Sequence, residues 1–120
     1  MQLQWYKRPG GEWCSLDEID VNGFGHVASQ HGVFVVWRDG HAARVSVVLY
    51  VGRGFLPRVL ADCRRDPLFR GEQGLRVTWA SLDPHEVDGV AAYLYERLRP
   101  LWGEVVRSVQ PLPVNLPMTA

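Results

Sequence analysis

The side chains in this sequence with the most capacity for chemistry are arginines. Arg53, Arg58, Arg64, Arg65, Arg70 and Arg76 share one stretch, set against Asp62, Asp66 and Glu72. A guanidinium carries a planar fork of donors that matches phosphate geometry, so the run suits a phosphate-rich partner. A solvated charged surface is the competing reading of the same run. Overall balance favours the latter, because 13 basic and 13 acidic residues cancel, whereas affinity for nucleic acid comes mainly from positive charge.

Other reactive side chains form no pattern that carries a reaction. There is no Ser-His-Asp elbow, no Gly-rich phosphate loop with Lys and no His-x-x-x-His zinc site. Cys14 and Cys63 are far apart and lack metal-ligand spacing, so both read as reduced thiols. His26 and His31 precede the first strand with no carboxylate or second His at useful spacing. They read as loop histidines. Trp37, Trp79 and Trp102 read as core or rim packing.

The elements that must position these residues are legible as a hairpin followed by helices. Gly32 to Trp37 is a compact run rich in β-branched and aromatic residues, which predicts a strand. Asp39-Gly40 is a turn signal, and Arg44 to Val51 predicts the partner strand. Apolar residues at consecutive positions require cover on both sheet faces, hence packed helices. Gly52-Arg53-Gly54 is expected to end the second strand in a flexible turn. Phe55 to Arg65 then has the spacing of a short amphipathic helix, with Pro57 in its first turn and Leu56, Val59, Leu60 and Cys63 on one face.

Asp66-Pro67 should stop this helix, and Gly71 to Gly74 reads as a loop. Leu75 to Ala80 alternates and predicts a half-buried strand. Asp83-Pro84-His85-Glu86 is a helix start, followed by an apolar stripe of Val87, Val90, Ala91, Leu94 and Leu98. Upstream, residues 2 to 6 suggest an edge strand, and Ser15-x-x-Glu18 a capping box that opens a short helix ended by Asn22 to Gly25. Pro111 to Pro117 cannot continue a helix and reads as an extended arm laid over the domain.

The chain of 120 residues, 47% hydrophobic and 22% charged, is expected to be one globular domain spanning 1–120. No apolar run approaches the ~20 residues of a membrane helix, and Met1 to Trp5 lacks signal-peptide character. The expectation is a soluble cytoplasmic protein with no membrane partner.

Two tripeptides connect these elements to a family. Gly32-Val33-Phe34 and Tyr50-Val51-Gly52 resemble the paired signature of the GIY-YIG nuclease superfamily. The likeness continues through the following helix, the strand at Leu75 to Leu82 and the helix end Leu98-Arg99-Pro100-Leu101. It covers residues 32–104, leaving 1–31 as an N-terminal extension and 105–120 as an extended C-terminal arm. The resemblance implies an α/β (α+β) fold, a small three-stranded antiparallel sheet flanked by helices. It also implies Mg2+-dependent phosphodiester cleavage: a Glu on the later helix holds the metal, a Tyr activates water, and an Arg with a His or second Tyr stabilises the phosphate.

Carried over residue by residue, the set is degenerate. Tyr50 matches the second tripeptide's Tyr, but Phe34 stands where the first has Tyr. Val59-Leu60-Ala61-Asp62-Cys63 occupies the helical Arg-Leu-x-x-His, so a shift of one residue makes Arg58 the candidate Arg. The metal-binding Glu falls at Ala91, and Asp88, one turn earlier, is the substitute carboxylate. Tyr50 and Arg58 are therefore the expected catalytic residues, Arg53, Arg64 and Arg65 the nucleic-acid-binding ones, and Asp88 the metal ligand. Each also has a plain reading: Tyr50 as a core aromatic, Asp88 as a solvated carboxylate. Mg2+ or Mn2+ is the cofactor of any active form. The implied function is a nuclease-like protein engaging DNA or RNA with weak or no cleavage. The alternatives are a catalytically dead pseudo-nuclease that binds another protein or regulates, and a domain with a small-ligand pocket near Gly52-Arg53-Gly54.

Overall fold

A computed structural model describes residues 1–19, 30–39, 47–69, 72, 74–103 and 105–117. In chain order its elements are β1 (Cys14–Ser15), β2 (His31–Arg38), β3 (Val47–Phe55), α1 (Leu56–Arg65), β4 (Leu75–Ser81), α2 (Pro84–Leu98) and β5 (Trp102–Gly103). The fold is α+β, with one five-stranded mixed sheet in the order β1-β4-β2-β3-β5. Its centre is the antiparallel set β4, β2, β3. Two strands of two residues each extend that set beyond the expected three, and β5 runs parallel to β3. Strands so short have no alternation to read, which is why the sequence does not announce them.

β2 is buried from Gly32 to Trp37 because a helix covers each face of the sheet. Phe34 and Val36 pack with Leu56, Leu60 and Cys63 of α1. Val33, Val35 and Trp37 pack with Val87, Val90 and Leu94 of α2. Full burial of each such side chain contributes roughly 1.5–3 kcal/mol, so the strand whose consecutive apolar residues called for cover on both faces is the axis of the core.

Two local features of β3 differ from expectation. Val36 pairs with Tyr50 and Trp37 with Val48, leaving Leu49 as an extra residue. This bulge turns both Leu49 and Tyr50 toward the α1 face. Further on, Gly52-Arg53-Gly54 is strand rather than turn: Phe34 pairs with Gly52, Val33 with Arg53 and Gly32 with Gly54. Gly52 is required there because a Cβ would overlap the Phe34 ring. α1 follows directly, with the Leu56 amide donating to the Gln30 carbonyl at 2.7 Å.

Ser15 opens only a 3-10 turn, Leu16–Glu18, without a side-chain cap bond; its hydroxyl instead accepts from Arg76 at 3.1 Å. Residues 2 to 6 join no ladder. Asp83 caps α2 by accepting from the His85 amide at 3.0 Å. The Pro-rich arm lies over α2, where the Leu112 amide donates to the Gly89 carbonyl at 2.9 Å and Val114 is buried. The Asp39-Gly40 turn, His26, Asn22 to Gly25 and Arg70 fall wholly or partly outside the described residues.

Candidate functional site

The site grows from the pairing of the two tripeptides on neighbouring strands. The Phe34 ring lies over Gly52 and stacks against Tyr50, with centroids 5.7 Å apart and planes 22° from parallel. Phe69, in a 3-10 turn at Pro67–Phe69, meets Tyr50 edge-on at 6.3 Å. Beside these rings is a cavity of about 230 Å3. β3 lines it with Tyr50, Gly52 and Arg53, and α1 with Val59, Asp62 and Cys63. Asp66 closes the α1 side, while Ala91 of α2 and Val106 of the arm complete the lining.

Arg53 alternates to the opposite face of β3 from Tyr50, since its partner Val33 belongs to the α2 side of the core. There its Nε lies 2.9 Å from Asp88 Oδ1, with the two side chains 28% and 58% exposed. The pair holds a guanidinium at the cavity and offsets the charge of the carboxylate beside it.

The residues expected at a site separate into two groups. Tyr50 and Arg53 line the cavity, and Ala91, the position matched to the family's Glu, lines it too. Asp88 reaches it only through Arg53. Arg58 is exposed on α1 and does not line it. Arg64 and Arg65 border a separate open groove with Leu16, Asp17 and Leu75, and Arg64 donates to the Ile19 carbonyl at 3.1 Å.

Ala91 has no donor atom, Asp88 already pairs with a cation, and no group of three His, Cys, Asp or Glu side chains converges among the described residues. The residues present therefore do not fit a Mg2+ or Mn2+ ion held as the resemblance implies. Cys63 is held as a neutral thiol. Burial, with Asp66 adding, pushes its thiol up to about 12, and a neutral thiol reacts poorly. Cys14 is raised as well, chiefly by burial.

The cavity's own carboxylates, Asp62 and Asp66, were not anticipated as site residues. One signal existed: they are spaced i, i+4, which places them on one side of α1 and its end. That spacing is equally what a solvated helix face shows. Compared with known proteins, the chain matches no family model, no curated protein and no solved structure.

Proposed function

We propose that this is a degenerate GIY-YIG-like domain that engages DNA or RNA and cleaves it weakly or not at all. One observation carries the reading: Phe34, Tyr50, Gly52 and Ala91, all positions singled out by the resemblance, converge on a single cavity. The antiparallel order β4-β2-β3 with a helix on each face supports the same family. Fold alone would not fix function.

Phosphodiester cleavage needs a placed nucleophile and neutralisation of the phosphoryl oxygens. Ala91, Phe34 and Cys63 lack three of the groups that would supply these, and Asp62 and Asp66 add negative charge instead. Binding has better support. Arg58 and Arg65 are exposed and two helical turns apart on α1, and Arg53 is held at the cavity.

The test is fluorescence anisotropy with labelled single- and double-stranded DNA and RNA over a salt series, beside a cleavage assay with Mg2+ or Mn2+. Binding should weaken steeply with salt, and Arg58→Ala with Arg65→Ala should flatten the slope by about one for each phosphate no longer neutralised. No binding at low salt would sink the reading. The pseudo-nuclease alternative, a protein-binding module, has one observation of its own: Val47, Leu101, Trp102 and Val105 are exposed apolar residues near β5.

A further inference from the structure

We infer that the cavity beside Tyr50 receives one unstacked nucleobase whose edge is rich in N–H donors, guanine above all; this rests on the nucleic-acid reading above. Size sets the first limit. At about 230 Å3 the cavity is smaller than the roughly 300–1,000 Å3 of sites for drug-sized ligands. It suits a ring system rather than a whole nucleotide.

Its walls are the second observation. Half-buried Tyr50 lines it, with buried Phe34 stacked against its ring and buried Phe69 meeting that ring edge-on, while Val59, Ala91 and Val106 keep the rest apolar. Bases leave a strand at least cost when aromatic side chains replace their stacking neighbours. Ala91, where the resemblance places a Glu, matters here as a gain: it puts no charge on the lining and leaves room.

The polar groups select the base. Asp62 and Asp66 carry carboxylates, which only accept hydrogen bonds. Asp66 Oδ1 already accepts from the Leu68 amide at 2.9 Å, so the side chain is fixed in orientation with its second oxygen still able to accept. Guanine offers a ring N–H and an exocyclic amine side by side, the pair of donors a carboxylate matches best. Thymine and uracil offer one donor between two carbonyls, and those carbonyls would face the carboxylate oxygens. A phosphate would be repelled from the same place. Arg53, tethered by Asp88, is the guanidinium placed to meet the phosphate next to an inserted base.

The donor-rich edge could come from a strand or from a free nucleotide, and one experiment separates them. Anisotropy is measured on the full chain with a labelled all-thymidylate strand and with the same strand carrying one central dG, followed by competition with guanosine monophosphate. The expected result is about tenfold tighter binding of the dG strand, the size of one good carboxylate–base pairing. Asp62→Asn with Asp66→Asn should erase that preference, so that the two strands bind alike, while the loss of two negative charges tightens both. Ala91→Leu, which fills the cavity, should also bring the two strands to equal affinity; if it does not fold, the exposed Asp62→Asn variant still decides. Guanosine monophosphate displacing the dG strand at equal affinity would uphold the pocket and make a free nucleotide its source. Equal binding of both strands would overturn the base pocket and leave nucleic-acid binding standing. Failure to bind either strand or the mononucleotide would overturn both.

Discussion

Arg53 Nε and Asp88 Oδ1 lie 2.9 Å apart, tying β3 to α2 beside the cavity. Because Asp88 is more than half exposed, solvent screens the pair and it contributes at most roughly 0.2–1 kcal/mol. Asp88→Ala should therefore barely move the urea midpoint. It should tighten salt-dependent binding of nucleic acid, because a negative charge beside Arg53 is gone. Millimolar Mg2+ should leave the melting temperature of the native protein unchanged, since only a ligand that binds the folded state raises it. A Mg2+-dependent rise abolished by Asp88→Ala would instead make Asp88 a metal ligand.

Glycines in the two tripeptides give a second prediction. A Cβ at Gly52 would overlap the Phe34 ring, a side chain stacked on Tyr50 with little room to swing. Gly52→Ala should cost about 1–3 kcal/mol, the range for overpacking a core. A Cβ at Gly32 would instead meet the Ala80 carbonyl oxygen on the paired strand. Backbone cannot rotate aside, so Gly32→Ala should cost more than Gly52→Ala in urea denaturation. The reverse order would mean that β2 and β4 separate there more readily than their register indicates.

How far this fold was legible depends on the range of each signal. Pro57, Asp83-Pro84 and the apolar stripes act within a few residues, and α1 and α2 start and end close to where those signals lie. Gly52-Arg53-Gly54 misled, because two glycines are a local turn signal whereas their real constraint is Phe34 and Gly32 across the hairpin. The bulge at Leu49 was equally silent, yet it decides that Tyr50 faces α1. Tyr50 and Ala91 could be named by resemblance. Asp62 and Asp66 could not, since nothing along the chain separates a cavity carboxylate from a solvated one.

Cys63 supplies a pH prediction with a definite sign. Its thiol titrates near 9.0 when unperturbed and is pushed up to about 12 in the fold, chiefly by burial. The unfolded chain therefore loses this proton first, and the stabilisation is complete below pH 9 and lost as pH rises through the interval to about 12. Within that interval the native protein should lose up to about 1.4 kcal/mol per pH unit relative to Cys63→Ala. Urea midpoints of the two proteins, compared at about pH 8 and about pH 10, isolate the effect from other titrating groups. Parallel pH dependence would show that Cys63 ionises in the fold as readily as outside it. Native Cys63 should also resist alkylation until the protein unfolds.

The last prediction concerns a clip between residues 112 positions apart. The Asn115 side chain accepts from the Leu3 amide and donates to the Leu3 carbonyl at 3.0 Å, so its carboxamide pairs with Leu3 as a strand would. The Asn115 carbonyl also accepts from Trp5 Nε1 at 2.9 Å. Leu3, Trp5, Leu112 and Leu116 all pack against the α2 side of the core, so the two terminal segments cover it jointly and Asn115 fixes one to the other. Asn115→Ala leaves two backbone groups of Leu3 without that partner, a cost of about 1–3 kcal/mol when such groups stay out of water. The N-terminal segment is tied to β4 at Tyr6, whose amide donates to the Trp79 carbonyl at 3.0 Å, so the part before it and the arm can open without the sheet and escape most of that cost. Amide exchange should therefore quicken at Leu3 and at Leu112, whose N–H is bonded to Gly89, while β2 amides keep their protection. Asn115→Asp retains the acceptor but sets a carboxylate against the Leu3 carbonyl, and it should loosen the same amides. Faster exchange throughout β2 would mean instead that the terminal cover and the sheet open as one unit.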